Sequence, residues 1–224
     1  MSVIDNYNEI LNEVKIAEKR VGRDVVLLPV SKFQELEKME QLAQIGVNLF
    51  AESKIQEAIP KIEYLNSKFT NLEFHYIGKI QTNKLKKVVE YFKMIHSVDR
   101  LDILKDINNY AQTFNKKQEI LIQLNIAHET QKNGIDINDF KDFFNEVKNY
   151  ENIILSGIMF MPPYFEDGSK NIPNFIIAQN IFNEYKDKLD TFNVLSMGMS
   201  HDFNIAIDYG STMVRVGTSI FGSR

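Results

Sequence analysis

The sequence predicts an α/β protein built as a (β/α)8 TIM barrel with an extra helix at its N-terminal end. Three observations carry that prediction. Eight aliphatic runs begin near residues 25, 48, 73, 94, 119, 153, 193 and 212, separated by stretches whose apolar residues recur at helical spacing. Residues 25–32, Val-Val-Leu-Leu-Pro-Val-Ser-Lys, are dominated by aliphatic side chains and pass directly into the polar, helix-forming Gln34-Glu35-Leu36-Glu37-Lys38. That is the pattern of a parallel strand buried on both faces. An open doubly wound sheet, the competing class, commonly carries a glycine-rich first turn, and Ser31-Lys32-Phe33-Gln34 contains no glycine.

Taken in order, Ile4, Tyr7, Leu11, Val14 and Ala17 give the leading helix one apolar face. Leu36, Met39, Leu42 and Ala43 mark the helix after the first strand, with Gly46 as its expected C-cap. The second strand is expected over 48–52; its helix presents Ile55, Ala58, Ile59, Ile62 and Leu65, and Pro60 should kink it or mark a late start. The third strand, 73–78, precedes a helix with Thr82 or Asn83 as expected N-cap. The fourth, 94–98, is followed by Asp99 as expected cap of the helix carrying Leu101, Leu104, Ile107 and Ala111. The fifth strand, 119–126, leads to a helix with Phe140, Phe143, Phe144 and Val147. The sixth, 153–161, is stopped by Pro162-Pro163 and followed by a helix with Phe175, Ile176, Ile181, Phe182 and Tyr185. The seventh strand, 193–197, a short helix over 200–208, Gly210, and the eighth strand, 212–216, complete the series.

The 224 residues suit one domain over 1–224, and 44% hydrophobic residues supply a large core. Twenty-six Lys and Arg stand against 30 Asp and Glu, a net charge of -4, which argues against nucleic acid as the main partner. With no cysteine, thiolate catalysis, disulfides and Cys-ligated zinc are excluded. His75, His96, His128 and His201 lie in four different βα units without metal-ligand spacing. The start is too polar for a signal peptide, and no run reaches the length of a membrane span, so a cytoplasmic protein without membrane contact is expected. No long apolar stretch demands a dimer, so a monomer is the expectation.

A barrel puts every strand's carboxyl end on one rim, and Lys32 ends the first strand there. In a crevice that desolvates it, a lysine amine becomes a nucleophile able to form a Schiff base; on its own the segment equally suits a lysine reaching solvent. The loops after strands seven and eight, Ser196-Met197-Gly198-Met199-Ser200 and Arg215-Val216-Gly217-Thr218, combine hydroxyls with glycines, as phosphate cups in barrels do. Arg215, inward on the last strand, needs solvent or an acceptor: a rim carboxylate such as Glu52, or a ring nitrogen of a pyridoxal cofactor. His75 alone is most simply a core histidine.

These residues resemble a known family, the pyridoxal phosphate homeostasis proteins, which look like the barrel domain of alanine racemase standing alone. The resemblance spans nearly the whole chain. Its carriers are Val30-Ser31-Lys32, Phe74-His75-Tyr76-Ile77-Gly78 with Gln81, Asn83 and Lys84, Ile95-His96-Ser97-Val98-Asp99, Leu195 to Ser200, and Met213 to Thr218 through Phe221-Gly222. It implies a pyridoxal 5'-phosphate (vitamin B6) binding barrel of fold type III. It implies Lys32 as the carrier of the cofactor in an internal aldimine, Ser196, Ser200, Gly217 and Thr218 about its phosphate, and Arg215 facing the pyridine nitrogen. His75 and Met197, within the shared motifs, and Ser53, which stands where the family usually has asparagine, complete the expected cofactor-binding set. The chain departs from the family pattern at Phe50-Ala51-Glu52-Ser53, usually Phe-Gly-Glu-Asn, and at Lys79, usually histidine. Lys84 is a second amine near the site.

The function the resemblance implies is a carrier and regulator of pyridoxal phosphate that hands it to apoenzymes, without robust catalysis. A racemase-like enzyme is the alternative, with Tyr76 or Lys79 as second base. A cofactor-free Schiff-base aldolase using Lys32 is the other.

Overall fold

The computed structural model describes residues 2–126 and 133–222. Helix α1 (Val3–Val21) precedes β1 (Val26–Pro29), followed by α2 (Leu36–Gln44), β2 (Leu49–Glu52), α3 (Ile55–Lys68), β3 (Glu73–Tyr76), α4 (Leu85–Tyr91) and β4 (Met94–Val98). Then come α5 (Asp102–Thr113), β5 (Gln118–Leu124), α6 (Phe140–Val147), β6 (Ile153–Phe160), α7 (Ile172–Tyr185), β7 (Val194–Ser196), α8 (Phe203–Asp208), β8 (Met213–Val216) and α9 (Thr218–Phe221). All strand pairs are parallel, in the order β1-β8-β7-β6-β5-β4-β3-β2. Just beyond the end of β1, a parallel bridge between Val30 and Ala51 of β2 brings the sheet round into a (β/α)8 barrel.

Period-2 alternation sorts the strand side chains between the two faces. Leu27, Phe74, Ile95, Leu195 and Val214 pack in the main core, shared with the helices. Leu28, Val30, Ala51 and Met213 form a separate apolar cluster, and Met94, Leu121 and Met159 another, on the opposite strand face inside the barrel. By the same alternation His75, His96, Ser196 and Arg215 are interior residues, and all four are buried. Hydrophobic side chains alone therefore do not fill the barrel: Arg215 pairs in register with Leu28, Ser196 with Met159, and His75 with Ala51 and Met94, so polar and apolar residues stand side by side in its interior.

Several local expectations are corrected. The segment before α4 is a 3-10 turn, Thr82–Lys84, and neither Thr82 nor Asn83 caps α4, whose N-cap is Lys84. Asp99 does not cap α5 either: the N-cap is Leu101, and the Asp99 carboxyl is instead half-buried, with its pKa raised by desolvation. Helix α3 starts at Ile55 and runs through Pro60, held by buried Ile55, Ala58, Ile62 and Leu65. The C-cap of α2 is Ile45, with Gly46 one residue on at φ 93. Helix α8 begins at Phe203 rather than Ser200, and the sequence reading gave no helix at α9. His128 lies outside the described residues.

Candidate functional site

A cavity of about 300 Å³ opens at the carboxyl ends of the strands. Val30 and Lys32 reach it from β1, Ile77 from β3, Met159, Met161 and Tyr164 from β6 and its loop. Met199, Ser200 and His201 come from the loop after β7, and Arg215, Gly217 and Thr218 from β8 and its end. Five expected cofactor residues, Lys32, Ser200, Arg215, Gly217 and Thr218, thus line one space although nearly the whole chain separates the first from the last.

The other four lie elsewhere. His75 and Ser196 are buried in the barrel interior and are linked to each other through His96. Met197 is fully buried in the helix-side core. Ser53 backs onto Gly78, where a Cβ would come within 2.2 Å of the Ser53 carbonyl oxygen, so that approach requires glycine at position 78. The sequence reading did not assign Val30, Ile77, Met159, Met161, Tyr164, Met199 or His201 to the site. Pro162-Pro163 was a usable signal, because a stop after β6 sends the next residues onto the same rim. The Tyr164 and His201 rings meet at 5.0 Å between centroids on that rim.

Arg215 is not paired with Glu52. One guanidinium N–H donates to Ser196 Oγ at 2.8 Å and another to the Phe160 carbonyl at 3.0 Å. Glu52 instead accepts from Ser31 Oγ at 2.9 Å and faces Lys61 at 3.5 Å. Beyond Ser196 the polar chain continues to His96 Nδ1 at 3.3 Å, and His96 Nε2 meets His75 Nδ1 at 3.0 Å. A guanidinium only donates, so Ser196 accepts from it and donates to His96 Nδ1. That assigns the His96 proton to Nε2, where it is donated to His75. Both imidazoles are neutral in this arrangement. Burial, with the Lys93 charge, lowers the His75 pKa to about 4; burial, His75 and Arg215 push His96 well below its usual value. Desolvation also lowers Arg215 to about 10, which still leaves it a cation at neutral pH.

The histidine pair has a consequence for stability. Between about 6.5 and about 4, the unfolded chain binds protons at His75 that the folded chain does not, so stability falls as pH falls through that window. The full loss from His75 is about 3 kcal/mol, and His96 adds in the same direction. Urea unfolding as a function of pH should show this fall in the native protein and a flatter one in His75→Asn. Equal slopes would refute the assignment.

Tyr76, one candidate second base, donates its hydroxyl to the Lys79 carbonyl at 3.2 Å, and neither residue lines the cavity. Among the described residues no group of three or more His, Asp or Glu could hold a metal, and no helix is long and apolar enough to cross a membrane.

The model of the alanine racemase N-terminal domain matches residues 6–224. The chain is 35% identical over 229 residues to the pyridoxal phosphate homeostasis protein of Pasteurella multocida, covering 100% of this chain and 98% of that one. It belongs to the pyridoxal phosphate homeostasis protein family. The member from Aquifex aeolicus is 34% identical over 232 residues, with 100% and 99% covered. Among solved structures, PipY of Synechococcus elongatus, solved without and with PLP bound, superposes with TM-scores of 0.89 and 0.87. Both have 26% identity and cover 99% of this chain and 100% of that one. Alanine racemase of Clostridium difficile, at 19% identity and a TM-score of 0.74, shares the barrel fold over 98% of this chain and 57% of its own.

Proposed function

We propose that this chain binds pyridoxal 5'-phosphate in the cavity at the strand ends, holds it covalently and reversibly through Lys32, and serves as its carrier and regulator. Residues 1–224 act in this as one domain, a cytoplasmic monomer that releases the cofactor to apoenzymes. The observation that carries the reading is the convergence of Lys32, Ser200, Thr218, Gly217 and Arg215 on one space. The lining fits the group. Lys32 offers an amine for the aldehyde, and Ser200 and Thr218 offer hydroxyls for the phosphate. A Cβ on Gly217 would lie 3.3 Å from the Val30 carbonyl oxygen, so glycine lets the end of β8 pack closely against the end of β1 beside the cavity. Ile77, Met159 and Met161 provide apolar walls for a flat ring. Ser196 is the hydrogen-bond anchor of Arg215, and His75 ends the chain behind it.

When bound, the cofactor supplies an aldehyde that condenses with amines and a ring that can accept electrons. Arg215 is a donor that keeps its proton, so an acceptor it meets in the cavity stays unprotonated. That favours holding over catalysis, because a pyridine left unprotonated is a weaker electron sink.

The test is to add pyridoxal phosphate to the protein, follow the visible absorbance, reduce with borohydride and map the adduct by peptide mass. A spectral change with the adduct on Lys32 is expected, as is reactivation of a pyridoxal apoenzyme by the loaded protein. No adduct at Lys32 would sink the reading. Rapid deuterium exchange at the α-carbon of free alanine would replace the carrier with a racemase.

A further inference from the structure

Lys32 is flanked by two residues that a charged network from the neighbouring βα unit holds in place. On its N-terminal side, the Ser31 N–H donates to the Ala51 carbonyl at 2.9 Å, and the Ser31 hydroxyl donates to Glu52 Oε1, also at 2.9 Å. Lys61 Nζ reaches the Ser31 carbonyl at 3.4 Å from α3. On the other side, the Phe33 N–H donates to Glu57 Oε1 at 2.7 Å. Glu57 and Lys61 form an ion pair one helical turn apart, so a single salt-bridged unit grips both neighbours of Lys32.

Two further observations say that this grip maintains the loop's conformation. Phe33 has φ 61, the left-handed region that a bulky residue does not adopt unless its surroundings impose it. Its side chain is half exposed, so packing alone does not impose it; the hydrogen bond to Glu57 acts on the backbone itself. Glu52 is fully buried, its second oxygen Oε2 has no hydrogen-bond partner, and desolvation raises its pKa. A buried carboxyl beside a nearly buried lysine is a costly arrangement for a loop that only had to turn.

We propose that Glu57 and Lys61 are positioning residues for Lys32: their ion pair clamps Ser31 and Phe33 so that the Lys32 amine stays directed into the cavity. The proposal rests on Lys32 being the reacting amine, and deepens that reading by naming what orients it. Neither residue lines the cavity.

Two readouts test it on the full-length protein, with a thermal melt of each variant to establish folding. The first is the rate at which pyridoxal phosphate forms a borohydride-fixed adduct on Lys32 in the native protein, Glu57→Ala and Lys61→Arg. The second is competitive labelling by acetic anhydride across pH without cofactor, comparing Lys32 with exposed Lys54. Glu57→Ala should slow adduct formation by about tenfold or more, the scale of a reacting group displaced from its aligned position. Its Lys32 labelling profile should move toward that of Lys54. Lys61→Arg, which keeps the cation between Glu57 and Ser31, should stay within about threefold of the native rate.

A folded Glu57→Ala variant with native adduct rate and labelling profile overturns the clamp. If the native protein forms no adduct, the cofactor reading fails, and the labelling comparison alone decides the clamp. Should Glu57→Ala not fold, Glu57→Gln is measured instead. It keeps an acceptor for the Phe33 N–H but loses the ion pair, and the same two outcomes decide.

Discussion

Lys32→Ala is expected to lose the borohydride-fixed adduct altogether, and with it the spectral change on adding pyridoxal phosphate. Lys32 is the lysine that lines the cavity among the described residues, so no neighbouring amine shares its space. Lys84, the second amine singled out in the sequence, lies instead in a separate groove with Ile55, Ile59 and Pro60. Ser200, Thr218 and Arg215 remain in the variant, so weak non-covalent binding should persist. The covalent contribution should be absent, because the reacting amine itself is gone. Equilibrium dialysis separates the two contributions. An undiminished adduct in Lys32→Ala, mapped to another lysine, would move the site.

Gly157→Ala should be the most damaging single methyl in the barrel. At φ 150 a side chain is strained, and the added Cβ would come within 1.8 Å of the Val194 carbonyl oxygen on β7. Gly157 also sits where the β5–β6 register slips, between the Ile120–Leu155 pair and the Leu121–Gly157 pair. Relief would require moving β6 from β7 or giving up the bulge. Backbone strain and overpacking together should cost about 3 kcal/mol or more. For a chain of this size that lowers the melting temperature by roughly 6–12 °C. Gly22→Ala is the matched control: φ is 68 at the α1 C-cap, but nothing lies within 4 Å of the added Cβ. Only the conformational cost applies there, about 1 kcal/mol. Comparable losses in the two variants would show that β6 can yield at Gly157.

The barrel was legible because hydrophobic runs of strand length alternate with helical periodicity through the chain, and right-handed βα connections then put every strand's carboxyl end on one side. Lys32, Ser200, Gly217 and Thr218 could therefore be assigned to a common rim from their positions at strand ends. The caps at Thr82, Asn83 and Asp99 were misread because side-chain capping is decided locally, within a turn, and a 3-10 entry or a half-buried carboxyl shifts it by a residue or two.

What the sequence by itself determined is the order of elements and which residues sit at strand ends, since both follow from period and from hydrophobic pattern along the chain. Only the tertiary structure decided who meets whom across the barrel. His75, His96, Ser196 and Arg215 come from four different strands and form one hydrogen-bonded chain. Glu57 and Lys61, two helix residues with an ordinary i, i+4 spacing, reach the loop that carries Lys32. Tyr164 and His201 meet on the rim from different loops. The reason is physical: these contacts depend on the register between strands distant in sequence, where a one-residue slip such as the bulge at Gly157 exchanges the inside and the outside of a strand.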